Sequence, residues 1–177
     1  MTRRNLRVLM FGWEFPPHNS GGLGTACYGL TRALSKTAVL ITFVLPKHLP
    51  GIEHDFLNIR FANVDAVKFR EVGVYLYPYV TSESYKDGMV HLPNSSMYGL
   101  HLFEEVKRYA QLARNIAMTE DFDVIHAHDW LSFGAGIEAK RVSGKPLIVH
   151  VHATEFDRTA GHPNEYIYGE ERYGMEE

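Results

Sequence analysis

The chain has 177 residues, 45% apolar and 22% charged, a composition that fits one globular domain with a sizeable core. Eighteen basic against twenty-one acidic residues leave a formal charge of −3, so no basic excess marks it for nucleic acid or an anionic membrane. Cys27 is the single cysteine, which excludes an internal disulfide and leads us to expect a reducing, cytoplasmic setting.

Leu6–Phe11 is a continuous apolar run, the mark of a strand covered on both faces. Arg3-Arg4 ahead of it looks faintly like a signal peptide, but Gly12-Trp13-Glu14 ends the run too early and no small-residue cleavage site follows. A proline-stiffened turn leads into the glycines Gly21, Gly22 and Gly24. From Gly22 the period becomes helical, with Leu23, Ala26, Cys27, Leu30 and Leu34 on one stripe and Asn19 or Ser20 available as the cap. Val39–Leu45 reads as a second buried strand, stopped by Pro46. Strand, helix and strand with short connections imply parallel pairing and a right-handed crossover.

The middle is less regular. Beyond a loop holding Pro50 and Gly51, Ala66–Phe69 and Gly73–Tyr79 read as two short strands, and Thr81–Asn94 as a long surface loop. A helix is predicted over Gly99–Thr119, burying Leu100, Phe103, Val106, Ala110, Ala113 and Ala117. Val124–Ala127 then reads as a strand, Trp130–Val142 as a helix with Leu131, Ala135 and Ile137 inward, and Leu147–Val151 as a strand. Gly144 supplies the intervening helix stop. Glu165–Glu177 resembles a helix cut short, as though the chain were part of something larger. No segment approaches the roughly 20 apolar residues of a spanning helix. The fold class is α/β, a doubly wound and mostly parallel sheet with helices on both faces.

Three stretches carry chemistry. The glycine turn offers backbone N–H groups at a helix N-terminus, where a phosphate is favoured. Without a Cβ, Gly21 and Gly22 allow close approach and a positive φ; the same glycines also suit a bare packing turn. His126 and His128 stand two apart at the end of one strand, and His150 and His152 repeat the pattern on the next. Each pair therefore projects to one side, at the carboxyl edge where open α/β sheets bind ligands. With Asp129 and Asp157 the histidines also suit a metal-dependent hydrolase, although the longer H-x-H-x-D-H spacing is absent. Tyr75, Tyr77 and Tyr79, with Tyr85 and Tyr98, offer either a stacking surface for a glycan or ordinary exposed aromatics.

Trp13–Gly24 with its helix resembles the N-terminal fingerprint of starch and glycogen synthases and their retaining glycosyltransferase relatives. Phe122–Trp130 is similar to that family's His-Asp-Trp segment, and Val149–Glu155 to its following strand. The resemblance implies the N-terminal, acceptor-side Rossmann-like lobe of a GT-B glycosyltransferase, one domain over residues 1–177, with the donor-binding lobe absent from the chain. It implies that His152 and Asp129 are the catalytic residues. Gly21, Gly22, Leu23, Glu14, His128 and Trp130 are implied as substrate-binding residues, with no metal. Asn19 stands where bacterial glycogen synthases carry lysine, and Thr25 where they carry aspartate. The family's E-x7-E pair has no counterpart here.

The implied reaction moves a sugar, glucose in this family, from a nucleotide-sugar to a glucan or other hydroxyl acceptor. The nucleotide-sugar is a co-substrate and no cofactor is expected. The implied partners are those two substrates and the second lobe of the same polypeptide, with no nucleic acid and no transmembrane segment. A hydrolase built on the His-x-His clusters, or a non-catalytic glycan- or nucleotide-binding module, are the alternatives.

Overall fold

The computed structural model describes residues 4–18, 21–48, 50–62 and 95–177, with backbone alone for 95–101. Its centre is a five-stranded, all-parallel sheet in the order β3-β2-β1-β4-β5. The strands are β1 (Leu6–Phe11), β2 (Val39–Leu45), β3 (Asn58–Phe61), β4 (Val124–His128) and β5 (Leu147–His150). Helix α1 (Gly22–Leu34) links β1 to β2, α2 (Ser95–Thr119) precedes β4, and α3 (Trp130–Ser143) links β4 to β5. Two further helices, α4 (Glu155–Arg158) and α5 (Glu165–Glu176), follow β5.

From β1 the chain steps to β2 on one side, and from β4 to β5 on the other. Right-handed crossovers then put α1 and α3 on opposite faces. Leu9, Met10 and Phe11 are wholly buried, as the two-sided covering requires. Helix α3 is buried nearly all round, from Trp130 to Ala139, because α2 and α5 both pack against it. Its Gly136 lies so close to the sheet that a Cβ there would stand 2.8 Å from Leu147 Cδ1 and 2.9 Å from Ala127 Cβ. Gly144 ends the helix with φ +65°, its N–H bonded to the Lys140 carbonyl, as the left-handed cap requires.

Several boundaries differ from expectation. Strand β3 carries a weak signal, with Ile59 and Phe61 only half-buried at the sheet edge. Helix α2 starts at Ser95, and its largest wholly buried described side chain is Tyr109, a polar aromatic that periodicity alone does not place inside. Ala26 is exposed, so the buried stripe of α1 is Leu23, Gly24, Cys27 and Thr31. The N-cap of α1 is Gly21, with no side-chain cap; Asn19 and Ser20 lie outside the described residues, as do Ala66–Phe69, Gly73–Tyr79 and Thr81–Asn94. β5 stops at His150, one residue short of Val151. The terminal stretch does form a helix, α5, with Asn164 capping it through bonds from the Tyr166 and Ile167 N–H groups.

Two polar contacts fix the frame. The Asp123 carboxylate accepts from the Arg7 backbone N–H at 2.9 Å and from its guanidinium at 2.9 Å, tying the start of β4 to β1. Those bonds hold the Asp123 carboxyl well below the usual range. The Tyr109 hydroxyl, at the other end of β1, lies 3.0 Å from the Gly12 carbonyl and 2.7 Å from that of Val44, and can donate to either. Its ring meets Phe11 and Trp13 edge-on. Burial pushes this phenol well above its ordinary pKa.

Tyr109→Phe removes the buried donor and should cost about 1–3 kcal/mol. Gly136→Ala should cost a similar amount through overpacking against Ala127 and Leu147. Urea unfolding measures both, and unchanged midpoints would contradict these contacts.

Candidate functional site

The strand register builds the site. His128 stands directly beside His150, and His126 beside Ile148, so both histidine pairs project from one face at the carboxyl end. Their rings form a ladder. His126 Nε2 lies 3.3 Å from His150 Nδ1, and His128 Nδ1 lies 3.0 Å from His152 Nε2. The His150 and His152 rings stack at 4.3 Å with 7° between their planes. His128 is fully buried, whereas His126, His150 and His152 are half-buried.

Burial disfavours the charged imidazolium, and neighbouring imidazoles add to the effect. His126 is lowered to about 4 and His128 to about 2, each by burial first and then by the other histidines. His152 is lowered by burial, against a smaller opposing effect of Asp129. At neutral pH His126 and His128 therefore present neutral imidazole nitrogens.

Asp129 holds the ladder together. Its Oδ1 accepts the His152 backbone N–H at 2.7 Å, and its own N–H donates to the His150 carbonyl at 2.9 Å. It reaches both by adopting φ +58°, an unfavourable conformation for a non-glycine residue, of a kind that costs on the order of 1–3 kcal/mol and clusters at functional sites. With the residue 2% exposed, the carboxylate is buried between β4 and β5.

The glycine turn lies beside this ladder because β1 pairs with β4. Gly21 has φ −161°, extended backbone open to any residue, so a positive φ is not why the glycines stand there. Gly22 leaves room: among the described residues, its own helix backbone and chain neighbours aside, no atom lies within 4 Å of a Cβ placed there. The Glu14 carboxylate, only 5% exposed, accepts the Gly24 N–H at 2.9 Å. The Glu14 side chain thus already serves one N–H of the first turn of α1.

Other candidates face inward. Leu23 and Trp130 are each 2% exposed. The Trp130 indole packs edge-on to Phe103, itself 4.1 Å from the Tyr166 ring. Asp157 forms a capping box with Thr154 at the start of α4, which accounts for its carboxylate. Tyr75, Tyr77, Tyr79 and Tyr85 lie outside the described residues, and for Tyr98 only the backbone is described.

Two features escaped the sequence reading. The Cys27 thiol of α1 comes within 4.8 Å of ring nitrogens of His128 and His152. Burial pushes it up to about 12, with Asp129 and Glu14 adding to the shift. Arg158 joins the buried Glu155 and Glu171 at 3.2 and 2.6 Å, fixing α4 to α5 just beyond His152. Neither the Cys27 contacts nor the Arg158–Glu171 pair has a sequence signal, since those partners meet only across the fold. Among the described residues no helix is long and apolar enough to cross a membrane.

Unfolded histidines take up a proton near pH 6.5, whereas folded His126 does so only near 4. The stabilisation is therefore present above about pH 6.5 and is lost as the pH falls towards 4. The slope is up to about 1.4 kcal/mol per pH unit for each such histidine. Urea midpoints at about pH 7.5 and 5 measure this, and equal values would refute the buried neutral ladder.

The family profile described as the starch synthase catalytic domain matches residues 7–174. An uncharacterised glycosyltransferase of Methanocaldococcus jannaschii is 24% identical over 156 residues, covering 88% of this chain and 33% of that protein. A glycogen synthase of Mycobacterium tuberculosis is 24% identical over 158 residues, covering 88% and 36%. The chain thus spans about a third of the length of these relatives. Among solved structures, sucrose-phosphate synthase from Thermosynechococcus elongatus superposes with a TM-score of 0.62 at 14% identity, covering 97% of this chain and 40% of that one. That likeness establishes the shared α/β fold. The chain belongs to the starch synthase catalytic domain family.

Proposed function

We propose that this member of the starch synthase catalytic domain family is the acceptor-side lobe of a retaining glycosyltransferase. The enzyme transfers a sugar, glucose in the first instance, from a nucleotide-sugar to a glucan or related hydroxyl acceptor. The observation that carries the reading is the convergence of the glycine turn and both histidine pairs at the carboxyl ends of the adjacent strands β1, β4 and β5. Open α/β sheets bind ligands there, at the point where strand order reverses.

On this reading the backbone at Gly21 and Gly22 receives the donor diphosphate, and its N–H groups stabilise charge as the phosphate leaves. His152 presents a half-buried ring to the sugar. Asp129 acts on it through the main chain, fixing the His152 backbone. Glu14 orients the turn through Gly24 rather than touching substrate. Leu23, His128 and Trp130 support the wall from within. The acceptor hydroxyl attacks from the face the leaving group departs, giving retention at the anomeric carbon. The remaining donor contacts belong to the second lobe of the same polypeptide. The family match favours this reading over a hydrolase, for which the comparisons offer no support.

His152→Ala in the full-length enzyme should lower kcat/KM for sugar transfer by at least about a hundredfold, the scale of a lost positioning contact. Wild-type rates in that variant would sink the assignment, and absence of any transfer by the wild-type protein would favour a binding module. The 177 residues alone should turn over no nucleotide-sugar, since they span only about a third of the length of the curated relatives.

A further inference from the structure

The geometry points to a transition-metal site formed by Cys27, His128 and His152, suited to zinc and shared with the sugar-facing histidine. The Cys27 sulfur and one ring nitrogen from each histidine lie within 4.8 Å of one another. Tetrahedral zinc, with bonds of about 2.0–2.1 Å to nitrogen and 2.3 Å to sulfur, holds such donors about 3.3–3.6 Å apart. The three therefore need to draw in by roughly an ångström, within reach of side-chain rotation.

An independent observation marks the place. His128 turns Nδ1 towards His152, and among the described residues its Nε2 has no hydrogen-bond partner although the residue is completely buried. Buried polar atoms without partners are uncommon and need an explanation; ligation of an ion supplies one. A second trio, His126, His128 and His150, shares the same residue, so His128 is the common ligand however the ion settles.

The donors select the metal. One thiolate and two imidazoles suit zinc or copper and disfavour magnesium, calcium or manganese, which take oxygen ligands. Cys27 releases its proton on binding. Asp129 and Glu14, whose charges bear on Cys27, offset the added positive charge. Half-buried His152 leaves an approach from the cleft side, and three protein ligands leave the fourth position for water or substrate. A bound ion engages the His152 ring, so zinc inhibits sugar transfer; this consequence rests on the role given to His152 above.

Cobalt titration of the full-length protein, purified without a histidine tag, tests the site directly. One equivalent should produce a thiolate-to-cobalt charge-transfer band that zinc abolishes and excess magnesium leaves untouched. The band should vanish in Cys27→Ala, and affinity should fall at least about tenfold in His128→Gln, with circular dichroism confirming that both variants fold. No band in folded wild-type protein, or one that persists in Cys27→Ala, overturns the site whatever the enzyme's activity. Zinc inhibition relieved at least about tenfold in Cys27→Ala supports the link to catalysis. A cobalt band without zinc inhibition leaves the metal site standing and overturns the role of His152.

Discussion

β1 is hydrogen-bonded on both edges, to β2 and to β4, and everything at the site depends on that placement. The chain leaves β1 towards β2 and resumes at β4 on the opposite side, so the two crossovers diverge and open a crevice at the carboxyl edge. Arg7 and Asp123 pin the other end of the same strand pair. With β1 and β4 locked in register, the turn after β1 and the histidines of β4 have nowhere to be but side by side.

The wall of this crevice is built from buried polar groups that satisfy one another. Glu14 accepts from Gly24, Asp129 from His152, and the imidazoles meet in diagonal pairs. Such networks rigidify when complete and are costly when partial. Among the described residues, the unpartnered Nε2 of His128 is the gap in this one. The backbone strain at Asp129 falls at the same point, where β4 ends and α3 begins. Strain and the unpartnered nitrogen thus fall on adjacent residues, Asp129 and His128.

Most of the sheet is legible in the sequence because central parallel strands are apolar on both faces and their helices carry periodic stripes. β1, β2, β4 and β5 announce themselves in this way, as does Gly144 at the end of α3. β3 does not, since an edge strand of four residues buries too little to leave a pattern. Tyr109 was missed for a related reason: a polar aromatic enters the core only if its hydroxyl finds partners, here carbonyls of Gly12 and Val44, which are distant in sequence.

Fold class, the two His-x-His pairs on one side of their strands, and the family are readable in the chain alone, because period and local motif are properties of neighbouring residues. Which of those residues meet follows from the fold instead. The fold bonds Glu14 to the Gly24 N–H and Asp129 to that of His152, takes Leu23 and Trp130 into the core, and leaves room beside Gly22. It also brought Cys27 to His128 and His152. The physical reason is the same throughout: burial, hydrogen-bond partnership and ligand distance arise between segments that meet only when the sheet closes.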